Sequence, residues 1–215
     1  LFFVLMLQLD CYIFLLLFLY YLKTRRFRNL VVCLSCLLCL GIYHTVMRWY
    51  DRPCPSLVFY NVRGCPAIHC IAEDGTSWLN YADTLSDKRR LQAVAANYWR
   101  RHQLLPPIEV TADCQNVDFC RHQQIVFYHG CRICMVTDNR WRNQSAASPL
   151  FINYMYLCKG YNGRLEELTG LFSPSCILLD ASLSDDRKQF FREECKRLHL
   201  HFITLSEEGS VRFLL

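Results

Sequence analysis

Hydrophobic residues are concentrated in two long runs at the start of the chain. Residues 1–22 contain one charged side chain, Asp10, and residues 29–47 contain none. A membrane-spanning helix needs about 20 mostly apolar residues. Both runs meet this requirement, so we predict a transmembrane helical hairpin over residues 1–47.

The connector between the two runs, residues 23–28, is basic and contains no acid: Lys23, Arg25, Arg26 and Arg28. Short loops rich in Lys and Arg stay in the cytoplasm. We therefore expect residues 48–215 to lie on the outer side of the membrane. No basic leader precedes the first run and no cleavage site follows it, unlike a signal peptide, so we also expect further sequence upstream.

Asp10 lies in the middle of the first apolar run. A charged side chain at the bilayer centre costs at least about 2.5 kcal/mol. Two interpretations stay open. Asp10 is a partner or pore-lining group in a larger helix bundle, or the true helix is offset and Asp10 lies near its end.

Beyond residue 53 the pattern changes to short apolar segments separated by turn residues, which predicts a layered α/β or α+β domain over residues 53–215. The predicted strands cover residues 57–62, 67–72, 77–82, 108–111, 118–128, 132–137, 151–158, 176–179, 201–205 and 211–214. A turn at His129-Gly130 joins two of them. Helices are predicted over residues 87–102 with the N-cap Ser86, 164–172, and 185–198 with the N-cap Ser184. The apolar face of the first helix comprises Leu91, Val94, Ala95 and Tyr98.

The formal net charge of +5 belongs mostly to the connector. From Arg48 onward the chain has 20 basic and 18 acidic residues. A domain that binds nucleic acid usually shows a strong basic excess. Any DNA contact would therefore have to come from a local patch.

Ten of the 14 cysteines lie beyond residue 53. In an oxidising compartment some of them could pair, and the sequence does not give the pairing. Cys131 and Cys134 form a CxxC, and a zinc site with the following neighbours is conceivable: Cys114, Cys120, His122 and His129. However, Cys131 and Cys134 lie on a predicted strand, which would point them to opposite faces and disfavours zinc.

Four segments carry a resemblance to a known family: LVFYNVRGCPAIHCIAEDG (57–75), QQIVFYHGCRICMVTD (123–138), FINYMYLCKGYNGRLEELTGLFSPSCILLDAS (151–182) and ECKRLHLHFITLSEEGSVRFLL (194–215). In this order they resemble the C-terminal part of the ComEC family of bacterial competence proteins. The resemblance implies a domain of metallo-β-lactamase type, preceded by the last membrane helices of an inner-membrane DNA-uptake channel. The implied partners are incoming single-stranded DNA, the membrane, the upstream channel portion of the same polypeptide and a possible second copy.

The chain departs from the active form of that domain. The run His-x-His-x-Asp-His is absent, and a basic helix follows Tyr81-Ala82-Asp83 where the run is expected. Asp138 stands at the position of a bridging aspartate, and Cys158-Lys159 replaces a histidine turn. One carboxylate cannot hold two divalent ions. The resemblance thus implies a degenerate domain that is not an enzyme, with no catalytic residue, metal or cofactor.

Several basic side chains have two interpretations. Four of them surround the degenerate site in this resemblance and either face a DNA backbone or are solvated surface: Arg132, Arg140, Arg142 and Lys159. His199 and His201 have no third ligand nearby and are interpreted as structural. Arg100, Arg101 and His102 end a helix, where cations suit the helix dipole.

Three functions follow as hypotheses. The favoured one is the C-terminal part of a DNA-uptake protein in the bacterial inner membrane, with its last domain periplasmic or extracellular. The second is a membrane-anchored structural or sensor domain that contacts another protein. The third, a metal-dependent hydrolase, is disfavoured by the missing ligands.

Overall fold

The computed structural model describes residues 22–23, 27–50, 54–81, 85–102, 104–110 and 112–215. The chain divides into two compact units, residues 1–52 and 53–215. Asp10 and most of the first apolar run lie outside the described residues, as do Ala82 and Asp83.

The described part of the first unit includes helix α1 (Phe27–Tyr50), which contains the whole of the second predicted apolar run. Within the described residues, no helix combines the length and the apolar character needed to cross a membrane. The two transmembrane helices therefore stay a prediction.

The second unit contains short strands and four helices among its described residues. The strands are β1 (Ser56–Phe59), β2 (Ala67–Ile71), β3 (Ser77–Tyr81), β4 (Ile108–Val110), β5 (Cys114–Gln115), β6 (Phe119–His122), β7 (Ile125–Tyr128), β8 (Cys131–Val136), β9 (Leu150–Leu157), β10 (Phe172–Leu179), β11 (Phe202–Thr204) and β12 (Val211–Leu214). The helices are α2 (Leu85–Arg101), α3 (Leu165–Thr169), α4 (Asp185–Arg197) and α5 (Leu205–Glu208). The predicted mixed α/β class is confirmed.

The strands form two sheets. One has the order β12-β1-β2-β3-β4, and the other has the order β11-β10-β9-β8-β7-β6-β5. Strands β8, β9, β10 and β11 run parallel to one another, whereas β5 to β8 form an antiparallel meander. Parallel neighbours need crossover connections, and α2, α3 and α4 lie in three of them.

Three apolar clusters define the layers. The first lies between the sheets and joins Phe59 and Trp78 of one sheet to Ile133 and Tyr156 of the other. The second packs the outer face of the seven-stranded sheet against α3 and α4, and the third packs the outer face of the five-stranded sheet against α2. The layer order is therefore helix, sheet, sheet, helix.

Local signals at turns and caps were mostly correct. His129 and Gly130 have φ angles of 44° and 76°, so the predicted hairpin turn is confirmed. Ser184 Oγ accepts a hydrogen bond from the Arg187 backbone N–H, which confirms the predicted N-cap. Ser86 is wrong as an N-cap, since α2 begins at Leu85.

Two element boundaries differ from the prediction. The strand predicted over residues 118–128 is two strands, β6 and β7, because the chain turns at Gln123 with φ 53°. Strand β10 begins at Phe172, where the prediction placed the end of a helix. Pro174 is tolerated inside β10 because β11 pairs only with residues 177–179, so the strand has a single neighbour at Pro174.

The apolar face predicted for α2 is correct in part. Leu91 and Ala95 are fully buried, and Tyr98 packs at the edge of the same cluster. Val94 is 48% exposed, so its place on that face is wrong.

Candidate functional site

The carboxyl ends of the parallel strands β8, β9 and β10 meet at one edge of the seven-stranded sheet. We call the residues that follow these strands the strand-end site: Asp138, Cys158, Lys159, Gly160 and Asp180. The Cys158 backbone N–H donates to the Val136 carbonyl over 3.0 Å, and the Lys159 N–H donates to Ser182 Oγ over 3.1 Å. The structure therefore brings together the three positions predicted as a degenerate metal site.

Asp138 is engaged by Arg140. The guanidinium of Arg140 donates to both carboxylate oxygens, with Nη2 2.8 Å from Oδ2 and Nε 3.0 Å from Oδ1. Burial acts to raise the pKa of Asp138, but the hydrogen bonds from Arg140 outweigh it and the pKa is lowered. The carboxylate at the predicted bridging position is thus held by a cation of the chain itself.

Cys158 is fully buried between the sheets. Burial, and next the nearby Asp180 carboxyl, raise the pKa of the thiol well above its ordinary value. A metal ligand or a nucleophile must be a thiolate. Cys158 is therefore a neutral, apolar-packed thiol.

Asp180 is a buried acid that sequence reasoning missed. It follows β10 directly, accepts a hydrogen bond from the Tyr156 hydroxyl, and accepts another from the Ser182 N–H at 2.8 Å. Burial raises the pKa of Asp180, and the hydrogen bonds from Ser182 and Tyr156 offset only part of that effect. The sequence feature that could have identified Asp180 is a single acidic residue directly after the apolar run of residues 176–179.

The four predicted DNA-contacting cations do not form one group. Arg140 is paired with Asp138, and Arg142 lies with its Nε 3.2 Å from Glu167 Oε2. Lys159 is exposed, and no carboxylate in the described part of the chain forms an ion pair with it. Arg132 is the second residue of β8, and at about 3.3 Å per residue it is roughly 20 Å from Asp138.

The predicted zinc cysteines lie on opposite faces of β8. Cys131 packs against the cluster between the sheets, whereas Cys134 belongs to the cluster beneath α3 and α4. Among the described residues, no group of His, Cys, Asp and Glu is arranged to hold a metal ion. The cysteines that the structure describes are all free thiols.

The remaining polar positions have local contacts. His201 Nδ1 lies 3.2 Å from Cys176 Sγ, and His199 has φ 54° just beyond the end of α4. Arg100 and Arg101 end α2, as predicted. The His102 ring packs against the Tyr98 ring with their centroids 4.4 Å apart.

A second buried polar group lies between the five-stranded sheet and α2. His69 is fully buried, and its Nδ1 is 2.9 Å from the Tyr60 hydroxyl. The Trp99 indole N–H donates to the same hydroxyl over 3.1 Å. Burial lowers the pKa of His69 to about 3, so the imidazole is neutral near pH 7.

Comparison with known proteins gives one family. Residues 57–215 match the family model described as ComEC C-terminal domain. No curated protein and no solved structure matches the chain.

Proposed function

Since the chain belongs to the ComEC family, we propose that it is the C-terminal part of a bacterial DNA-uptake protein and that its second unit contacts incoming single-stranded DNA. The match of residues 57–215 to the ComEC C-terminal domain carries this proposal. That match covers almost all of the second unit, residues 53–215.

The second unit, on this proposal, is a degenerate domain of metallo-β-lactamase type without hydrolytic activity. The helix–sheet–sheet–helix layers support the fold. The strand-end site supports the loss of hydrolytic activity, because Asp138 is paired with Arg140 and Cys158 is a buried neutral thiol.

The chain is proposed to be anchored in the inner membrane by the apolar runs over residues 1–22 and 29–47. The basic connector between them supports a location of the second unit outside the cytoplasm. Large exposed apolar side chains on α1, such as Leu34 and Leu38, favour an apolar environment around that helix. The upstream channel portion of the same polypeptide is the proposed neighbour, with a second copy possible.

DNA contact is proposed to be electrostatic and weak. The second unit has little net charge, so attraction depends on cations without carboxylate partners. Lys159 and Arg132 are such cations among the described residues, whereas Arg140 and Arg142 are partly neutralised by Asp138 and Glu167. Few phosphate contacts imply low affinity at physiological salt.

The test is a fluorescence anisotropy titration of the full chain, with mild detergent present, against labelled oligo-dT at increasing salt. We expect weak binding at low salt that falls linearly on a log–log plot, with a slope of about −0.7 for each phosphate neutralised. No binding at low salt, or binding that salt does not change, would rule out direct DNA contact. That result would favour the anchored structural or sensor domain.

A further inference from the structure

A basic and aromatic surface lies at the end of the seven-stranded sheet opposite to the strand-end site. We call it the Arg132 patch, and it comprises Phe127 of β7, Arg132 of β8 and Phe151 of β9. Phe127 and Arg132 are direct cross-strand partners. The guanidinium carbon of Arg132 is 5.7 Å from the centroid of the Phe127 ring, and Nη1 points to the Phe151 carbonyl at 3.5 Å.

The aromatic rings of this patch are accessible to a ligand. Phe151 is 52% exposed and Phe127 is 37% exposed, although both are large apolar side chains on strands. Core residues of the same strands, such as Tyr156 and Val126, are completely buried. The Phe127 ring beside the guanidinium therefore presents apolar surface to solvent, and Phe151 adds a second exposed ring at the start of the next strand.

The charge on Arg132 is not neutralised within the described part of the chain. No carboxylate there lies within ion-pair distance of its guanidinium. The side chain contacts the Phe127 ring and the Phe151 carbonyl, and the backbone N–H donates to Asn153 Oδ1. Arg140 and Arg142, by contrast, each face a carboxylate at 3.2 Å or less. An unpaired cation beside an exposed ring is complementary to a ligand that has both negative charge and flat aromatic groups.

A shallow depression of about 240 Å³ adjoins the patch, and Phe127 lines it together with the turns at residues 116–120 and 128–130. Asp118 also lines this depression. A carboxylate repels phosphate, but it can accept a hydrogen bond from a nucleobase N–H, such as the N3–H of thymine. The depression thus fits a base, while Arg132 beside it fits the phosphate.

We propose that the Arg132 patch stacks a base of single-stranded DNA on the ring of Phe127, with Arg132 beside the phosphate backbone. Sequence-tolerant binding of single strands generally combines aromatic stacking with a positively charged track. The bases of a duplex are already stacked on each other, so this surface selects the single strand. The proposal rests on the DNA contact proposed above and moves its main location from the strand-end site to this patch.

The test uses the full chain, with oligo-dT and an abasic oligonucleotide of equal length as probes in anisotropy titrations. The abasic strand has the same phosphates and no bases. We expect wild-type protein to bind oligo-dT about tenfold more tightly than the abasic strand, a typical effect of stacking one base. We expect Phe127→Leu to remove most of that preference and Arg132→Gln to weaken binding of both probes.

Matched controls exist on the helical layer. Phe190 makes the same kind of contact, with the Arg187 guanidinium carbon 4.8 Å from its ring, so Phe190→Leu controls for loss of an aromatic ring. Lys196→Gln controls for loss of an exposed cation. Neither control should change the preference for oligo-dT. Near-UV circular dichroism checks that each variant is folded.

The outcomes separate this proposal from the proposed function. If wild-type protein binds neither probe, direct DNA contact fails and the patch fails with it. If wild-type protein binds both probes equally, or if Phe127→Leu and Arg132→Gln bind like the controls, the patch proposal is wrong while DNA contact stands. Loss of the preference in Phe127→Leu and not in Phe190→Leu, with folding intact, supports stacking at this surface.

Discussion

Burial shifts the pKa values of two fully buried residues, His69 and Asp180, in opposite directions. Burial disfavours the charged form of any group, so it lowers the pKa of a base and raises that of an acid. The pKa of His69 is accordingly lowered, and that of Asp180 is raised. Each residue also forms a hydrogen bond with a tyrosine hydroxyl, His69 with that of Tyr60 and Asp180 with that of Tyr156. Both side chains therefore link stability to pH.

Because His69 is buried in its neutral form, we expect the folded protein to lose stability in acid. The pKa of the imidazole is about 6.5 in an unfolded chain and about 3 in the folded protein. The unfolded state therefore binds the proton first, and the contribution of neutral His69 is lost as the pH falls from 6.5 towards 3. We expect this to cost about 1.4 kcal/mol per pH unit in that range. Urea denaturation at a series of pH values measures it.

The variant His69→Gln should show a smaller acid slope between pH 6.5 and 4 than the wild type. His199→Gln is the matched control, because it removes one histidine at an exposed position. An identical slope in His69→Gln and the wild type would contradict a buried neutral imidazole.

At the scale of elements, the strand-end site depends on how closely the turn after β9 packs against the turn after β8. Gly160 has φ 118°, and a Cβ atom placed on it would lie 2.2 Å from the Thr137 carbonyl oxygen. Only glycine avoids both the backbone strain and the steric overlap. This close approach holds the turn at Gly160 against the backbone of Thr137 and Asp138, so the geometry of the site follows from the absence of one methyl group.

Gly160→Ala should destabilise the second unit strongly. Positive φ costs a non-glycine residue about 1–3 kcal/mol, and overpacking against backbone adds about 1–3 kcal/mol. Gly75→Ala is the control, since Gly75 has φ 84° and no atom within 4 Å of its virtual Cβ. Urea denaturation should show the larger loss for Gly160→Ala. Equal losses would show that the close approach to Thr137 contributes nothing.

At the scale of the whole molecule, two sheets and their helical layers surround three separate apolar clusters. Each cluster is formed within residues 53–215, and no metal ligand group joins the layers in the described part of the chain. Packing between sheets and helices is therefore a source of stability in the second unit.

Removal of divalent metal should leave the protein unchanged. We expect the same thermal unfolding midpoint before and after dialysis against EDTA, because Asp138 is already neutralised by Arg140 and Cys158 is a neutral thiol. Addition of zinc afterwards should also have no effect. Stoichiometric zinc in purified protein, or a midpoint that falls with EDTA, would instead favour the metal-dependent hydrolase.

The mixed α/β class, the His129-Gly130 turn and the Ser184 cap could be predicted from the sequence by itself. These features depend on local physics: backbone freedom at a turn, hydrogen bonds at a helix end, and the spacing of apolar residues. The opposite orientation of Cys131 and Cys134 could be predicted for the same reason, since side chains alternate along any strand.

Only the tertiary structure decided which distant residues share a surface. The burial of Asp180 and the place of Pro174 inside a strand both depend on the order of strands in the seven-stranded sheet. The same order places Arg132 between the Phe127 ring on one neighbouring strand and the Phe151 carbonyl on the other. Strand order is set by packing between elements far apart along the chain, and no local pattern of residues records it.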